Sequence, residues 1–155
     1  MQDWGTWNAS WLWSLALIAF TIATHLVGIG FIVNAVERFR TRLLRSDLKR
    51  LGSTPAAIAA IVAVAIALAI LHGVESMIWA VAYVYLGAFS SPADAALYSV
   101  DSMTTRGASG LVPEQQWRMM GAVEAGDGML LFGISTALLF YVMLRLWKTD
   151  PEIRF

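Results

Sequence analysis

Three apolar stretches, each long enough to cross a bilayer, constrain this chain more than any other feature. A membrane span needs about 20 apolar residues at about 1.5 Å per residue. "WLWSLALIAFTIATHLVGIGFIVNAV" covers residues 11–36, and "AAIAAIVAVAIALAILHGVESMIWAVAYVYLGAF" covers 56–89. The third runs over about residues 119–147, around "MLLFGISTALLFYVMLRLW". No clean two-residue alternation persists in them, so helices are expected rather than strands. Of 155 residues, 58% are hydrophobic and 14% charged, more apolar surface than one soluble core could hide. With no cysteine, disulfides and thiolate metal sites are excluded. The opening "MQDWGTWNAS" has an acid and no base, and is read as leading into the first span rather than as a cleaved leader.

The formal net charge is zero, but the cations are unevenly placed. Arg38, Arg40, Arg42, Arg45, Lys49 and Arg50 follow span one, and Arg145, Lys148 and Arg154 follow the core of span three. Only Arg106 and Arg118 lie between spans two and three. The positive-inside rule then puts the 38–50 loop and the C-terminus in the cytoplasm, and the N-terminus and the 90–118 region outside. An aromatic belt is expected from Trp7, Trp11 and Trp13 on span one, Trp79, Tyr83 and Tyr85 on span two, and Trp117 and Trp147 on span three. The 37–51 segment could form a basic amphipathic helix on the inner leaflet, or serve simply as the orientation signal.

Residues 90–118 are too few and too polar for another full span. Ser91, Pro92 and Asp94 spell a helix start: a cap, a first-position proline and an acid in the first turn. The helix should end near Thr104–Thr105, where the glycines begin. A half-bilayer helix with a glycine-rich return, set between antiparallel spans, suggests a re-entrant loop; the alternative is a loop on the outer surface.

Here "YSVDSMTTRGASGLVP" resembles the pore helix and selectivity filter of potassium channels, whose usual signature is T-T-V-G-Y-G-D. "WRMMGAVEAGDGMLLFGISTALLFYVM" is similar to the inner helix of small bacterial ion channels of this class. The resemblance covers about residues 56–148. It implies an all-α membrane protein with three transmembrane helices, a re-entrant pore helix and a filter-like loop, assembled as a homotetrameric pore-loop channel in the bacterial inner membrane. Residues 1–37 would then be a peripheral span, 38–55 a basic cytoplasmic linker, 56–148 the pore domain and 149–155 a cytoplasmic tail. Within the pore domain, 56–89 would be the outer helix, 92–105 the pore helix, 104–112 the filter-like loop and 119–147 the inner helix. Filter carbonyls would replace the ion's hydration shell, with the C-terminal end of the pore helix dipole aimed at the ion path. No resident cofactor and no enzymatic activity are expected. The species implied are a permeant monovalent ion, membrane lipid and further copies of the chain, with no nucleic acid.

The filter-like residues are Thr104, Thr105, Arg106, Gly107, Ala108, Ser109 and Gly110, of which Thr104, Thr105 and Gly107 match the signature. Arg106 stands for its valine, Ala108 for tyrosine, Ser109 for the second glycine and Gly110 for the aspartate. In an alternating filter backbone Ser109 would cost about 1 kcal/mol or more. Weak or absent potassium selectivity is therefore expected. Three orientations of Arg106 are open: a buried pair with Asp101 behind the filter, a reach to outer water, or a charge facing the axis. The pair is favoured, because the family's carboxylate partner is lost at Gly110 while an opposite charge appears nearby.

Gly126, Gly128 and Gly133 could be a gating hinge, by the resemblance, or a close-packing surface. His72 with Glu75, and Glu124 with Asp127, are each spaced by three on one helix face. Together the four could hold a divalent metal or pass protons, line an outer vestibule, or brace the short helix. His25 is read as a packed or helix-bridging histidine. The functional alternatives are a non-conducting protein of the same scaffold with a sensing or interaction role, and a metal or proton pathway through these acids.

Overall fold

The computed structural model describes residues 4–45, 53–107 and 109–147. Ala108, the 46–52 part of the basic linker, Lys148 and the 149–155 tail lie outside the described residues. Among the described residues the protein is all-helical: α1 (Trp4–Arg45), α2 (Ser53–Tyr85), α3 (Pro92–Met103), a short 3-10 turn (Gln115–Trp117) and α4 (Arg118–Trp147). Ala9–Arg42, Pro55–Tyr85 and Gln115–Leu146 are long and apolar enough to cross a membrane.

Burial runs opposite to that of a soluble helix. On α1 the inward stripe is Ser10, Ser14, Leu17, Thr21 and His25, four of them polar, while Leu12, Leu15 and Phe20 are exposed. On α4, Glu124, Asp127 and Ser135 are buried, while Met129, Leu130 and Phe132 are exposed. Polar side chains inside and apolar ones outside suit a hydrocarbon solvent, where polar groups must find partners within the protein.

The chain divides into two compact units. In the unit of Met1–His25 and His72–Phe132, the core is Leu17 of α1, Trp79 and Tyr83 of α2, Ala95 and Met103 of α3, and Met120 and Leu131 of α4. In the unit of Leu26–Leu71 and Gly133–Phe155, the core is Val36, Ala57, Val64, Leu68, Leu138, Val142 and Leu146.

The helix limits differ from the sequence expectation in ways that have local causes. The expected linker at 38–55 is helical from 38 to 45 and from 53 onward. Glu37 supports the extension of α1 by pairing with Arg40 at 3.3 Å, one turn on. The second span stops at Tyr85, because Gly87 takes φ +69° while Ala88 N–H returns to the Tyr83 carbonyl, an end only glycine accommodates cheaply. The belt reading fails at Trp79 and Tyr83, both fully buried. They continue the buried face of α2 that includes His72 and Glu75, and their polar tips have partners inside. Trp11, Trp13 and Tyr85 are exposed as expected, with Trp13 and Tyr85 in an edge contact at 6.1 Å.

Candidate functional site

The segment between α2 and α4 begins as its sequence dictates. Ser91 caps α3, its hydroxyl accepting from Asp94 N–H at 3.3 Å, and Pro92 opens the helix. Twelve residues make α3 about 18 Å long, short of the roughly 30 Å hydrocarbon core. The chain then turns through residues of positive φ: Thr105 at +56°, Gly107 at +61° and Gly110 at +71°. Thr105 has a Cβ, so this conformation carries a local cost of about 1 kcal/mol.

Asp101 ties this loop at two points. Its Oδ1 accepts from Arg106 Nε at 2.5 Å, and its Oδ2 accepts from the Ser109 amide at 2.7 Å. Arg106 N–H also donates to the Asp101 carbonyl at 3.0 Å. The Arg106 hydrogen bond, then the Ser109 amide, hold the Asp101 carboxyl down to about 2. The pair is not buried on both sides as expected: Asp101 is enclosed, while the Arg106 side chain is 60% exposed. Farther on, Glu114 N–H reaches the Ala88 carbonyl at 3.2 Å and anchors the loop's end to the α2–α3 connection.

Close contact between α3 and α4 depends on two glycines. A Cβ at Gly128 would lie 2.2 Å from the Met103 carbonyl oxygen, and one at Gly121 would lie 1.9 Å from the Tyr98 hydroxyl. Gly126 and Gly133 have nothing within 4 Å of that position. Of the three glycines grouped from the sequence, Gly128 thus differs from Gly126 and Gly133, and Gly121 was missed. A cavity of about 280 Å³ remains among α3, the loop and α4, bordered by Tyr98, Asp101, Ser109 and Gly121.

The intramembrane acids each have a separate set of partners. Glu124 Oε2 accepts from the Tyr83 hydroxyl at 2.8 Å, and its Oε1 meets Ser99 Oγ. Ser99 Oγ also lies 2.6 Å from the Ser76 carbonyl, which can only accept. The single serine hydrogen goes to that carbonyl, so Glu124 is the donor to Ser99 and sits as the neutral acid. Glu124 thereby braces α3. Asp127 Oδ2 accepts from the Thr21 hydroxyl at 2.6 Å and from Trp79 Nε1 at 3.1 Å, while its buried Oδ1 has no hydrogen-bond partner.

Glu75 is met by two histidines: Nδ1 of His25 lies 2.7 Å from Oε1, and Nδ1 of His72 lies 3.0 Å from Oε2. The expected grouping of His72, Glu75, Glu124 and Asp127 around one point is therefore not found. His72 and Glu75 do meet, but their third member is His25 from α1, a helix bridge across fifty residues of sequence. The sequence sets His25 in register with Ser14 and Thr21 on α1 but names no partner for it.

No family model, curated protein or solved structure matches the chain.

Proposed function

We propose that this chain is the subunit of a homotetrameric pore-loop ion channel with a non-standard filter. What supports this reading is the Asp101 clamp on a glycine-bearing loop, at the end of a half-bilayer helix set between two apolar spans. A re-entrant segment is tolerated at membrane depth where protein or a water-filled cavity covers it. The exposed residues Thr104, Thr105, Arg106, Gly107 and Gly110 would line or flank the axial path, and the exposed faces of Gly126 and Gly133 would meet neighbouring subunits or bend. The family resemblance supplies the fourfold assembly and the bacterial inner membrane. The cation count supplies an outer N-terminus and a cytoplasmic C-terminus. Four Arg106 side chains near the axis would oppose cations, so selectivity for potassium should be weak or absent.

The deciding experiment is ion flux through purified protein in planar bilayers under potassium, sodium and chloride gradients in turn. A reversal away from the potassium value, moved by Arg106→Gln, supports the altered filter. A reversal at the potassium value overturns the selectivity assignment. Silence, with a control channel active in the same bilayers, favours the non-conducting scaffold instead.

A further inference from the structure

The three ligand atoms offered by His25, His72 and Glu75 all lie within 4.8 Å of one another, and all three side chains are buried. This cluster has no part in the pore-loop reading, and the assignment made here does not depend on that reading.

Glu75 of the cluster and Asp127 are two buried carboxylates of the same unit. Glu75 is fully buried, and Asp127 lies within electrostatic range of both Glu75 and His25. Among the described residues of this unit, the lysines and arginines are Arg106 and Arg118 alone. Arg106 is paired with Asp101, and Arg118 Nε donates to the Pro113 carbonyl. Among the described residues of this unit, the histidines are therefore the only basic side chains that meet Glu75. A buried charge without an opposite charge is costly, and a divalent ion would neutralise both acids.

The donor types are equally selective. Two imidazole nitrogens and a carboxylate are a set that zinc and its first-row neighbours accept, at about 2.0–2.2 Å per bond. Ligand atoms on a tetrahedral ion are then about 3.3 Å apart. The observed 2.7 and 3.0 Å between nitrogen and oxygen need to open by only a few tenths of an ångström.

We propose that His25, His72 and Glu75 form a buried binding site for a divalent ion of the zinc class, which clamps α1 to α2. Each ligating nitrogen must be free of its proton, so an ion here competes with protons and binds more strongly as pH rises. The clamp is structural: it fixes the peripheral helix to the helix that precedes the loop.

Purified full-length protein in detergent is stripped with chelator and titrated with Zn²⁺, and separately with Co²⁺. The expected result is one ion per chain by elemental analysis, visible Co²⁺ bands of a four-coordinate site, and a higher melting temperature with Zn²⁺. His25→Gln and His72→Gln should each weaken Zn²⁺ affinity by about 100-fold. Binding unchanged in the double variant His25→Gln/His72→Gln would overturn the assignment. Folded wild-type protein that takes up neither ion, and whose melting temperature Zn²⁺ leaves unmoved, would overturn it without any variant and leave a hydrogen-bonded His–Glu–His bridge.

Discussion

Gly128 of α4 lies directly against the Met103 carbonyl that ends α3: a Cβ there would sit 2.2 Å from that oxygen. The obstacle is backbone, so the two helices must separate to admit even a methyl group. Gly128→Ala should destabilise the protein by about 1–3 kcal/mol, the usual cost of overpacking. Thermal unfolding in detergent, followed by size-exclusion chromatography, measures this. Wild-type stability in Gly128→Ala would mean that α3 and α4 are not in contact here.

Gly126 and Gly133 face open space within one chain, so alanine at either should leave subunit stability within about 0.5 kcal/mol of wild type. If they pack against other copies, the same substitutions lower the yield of oligomer in chemical cross-linking. If they bend instead, oligomer yield is unchanged and open probability falls. A loss of monomer stability would contradict the open surroundings of both residues.

Asp101 gives the loop a defined acid response. Arg106 and the Ser109 amide hold its carboxyl down to about 2, below the ordinary 3.8. A depressed value means that the folded loop favours the charged form. This stabilisation is fully present above pH 3.8 and fades as pH falls toward 2. Asp101→Asn should therefore lower the melting temperature at pH 7, and the gap to wild type should narrow steadily below pH 4. An equal gap at pH 7 and pH 2.5 would show that the charge is not what holds the loop.

Glu124 is the neutral partner of Tyr83 and Ser99. Glu124→Gln keeps an acceptor for Tyr83 and a donor for Ser99, so it should be close to neutral. Glu124→Ala leaves the buried Tyr83 hydroxyl without its acceptor and should cost about 1–3 kcal/mol. Comparing the two variants by thermal unfolding decides the point, since a charged Glu124 would make the glutamine variant as costly as the alanine.

Of the hydrogen bonds that Asp127 accepts from Thr21 and Trp79, the one from Thr21 is the shorter, at 2.6 Å. Thr21→Val preserves shape and removes the donor, at an expected cost of about 1–3 kcal/mol for a buried acceptor left short of a partner. Against an Asp127→Asn background the same change should cost less than half as much. An additive double-mutant cycle would place the two residues out of contact.

Hydropathy determined the three long helices by itself, because a run of apolar residues leaves the backbone no low-cost alternative to helix in hydrocarbon. The start of α3 was equally legible, since Ser91, Pro92 and Asp94 act within one turn. The His72–Glu75 contact followed from a spacing of three, and the Asp101–Arg106 pair spans only five residues. Tertiary structure alone decided which face of each helix turns inward. In a span such as α2 nearly every position is apolar, so periodicity does not distinguish Trp79 and Tyr83, which are buried, from Tyr85, which is exposed. For the same reason His25 as the partner of Glu75, Thr21 as the partner of Asp127 and Gly128 as the seat of Met103 had no local signal. Each joins residues far apart in sequence, and their meeting depends on how three nearly uniform helices are rotated about their own axes.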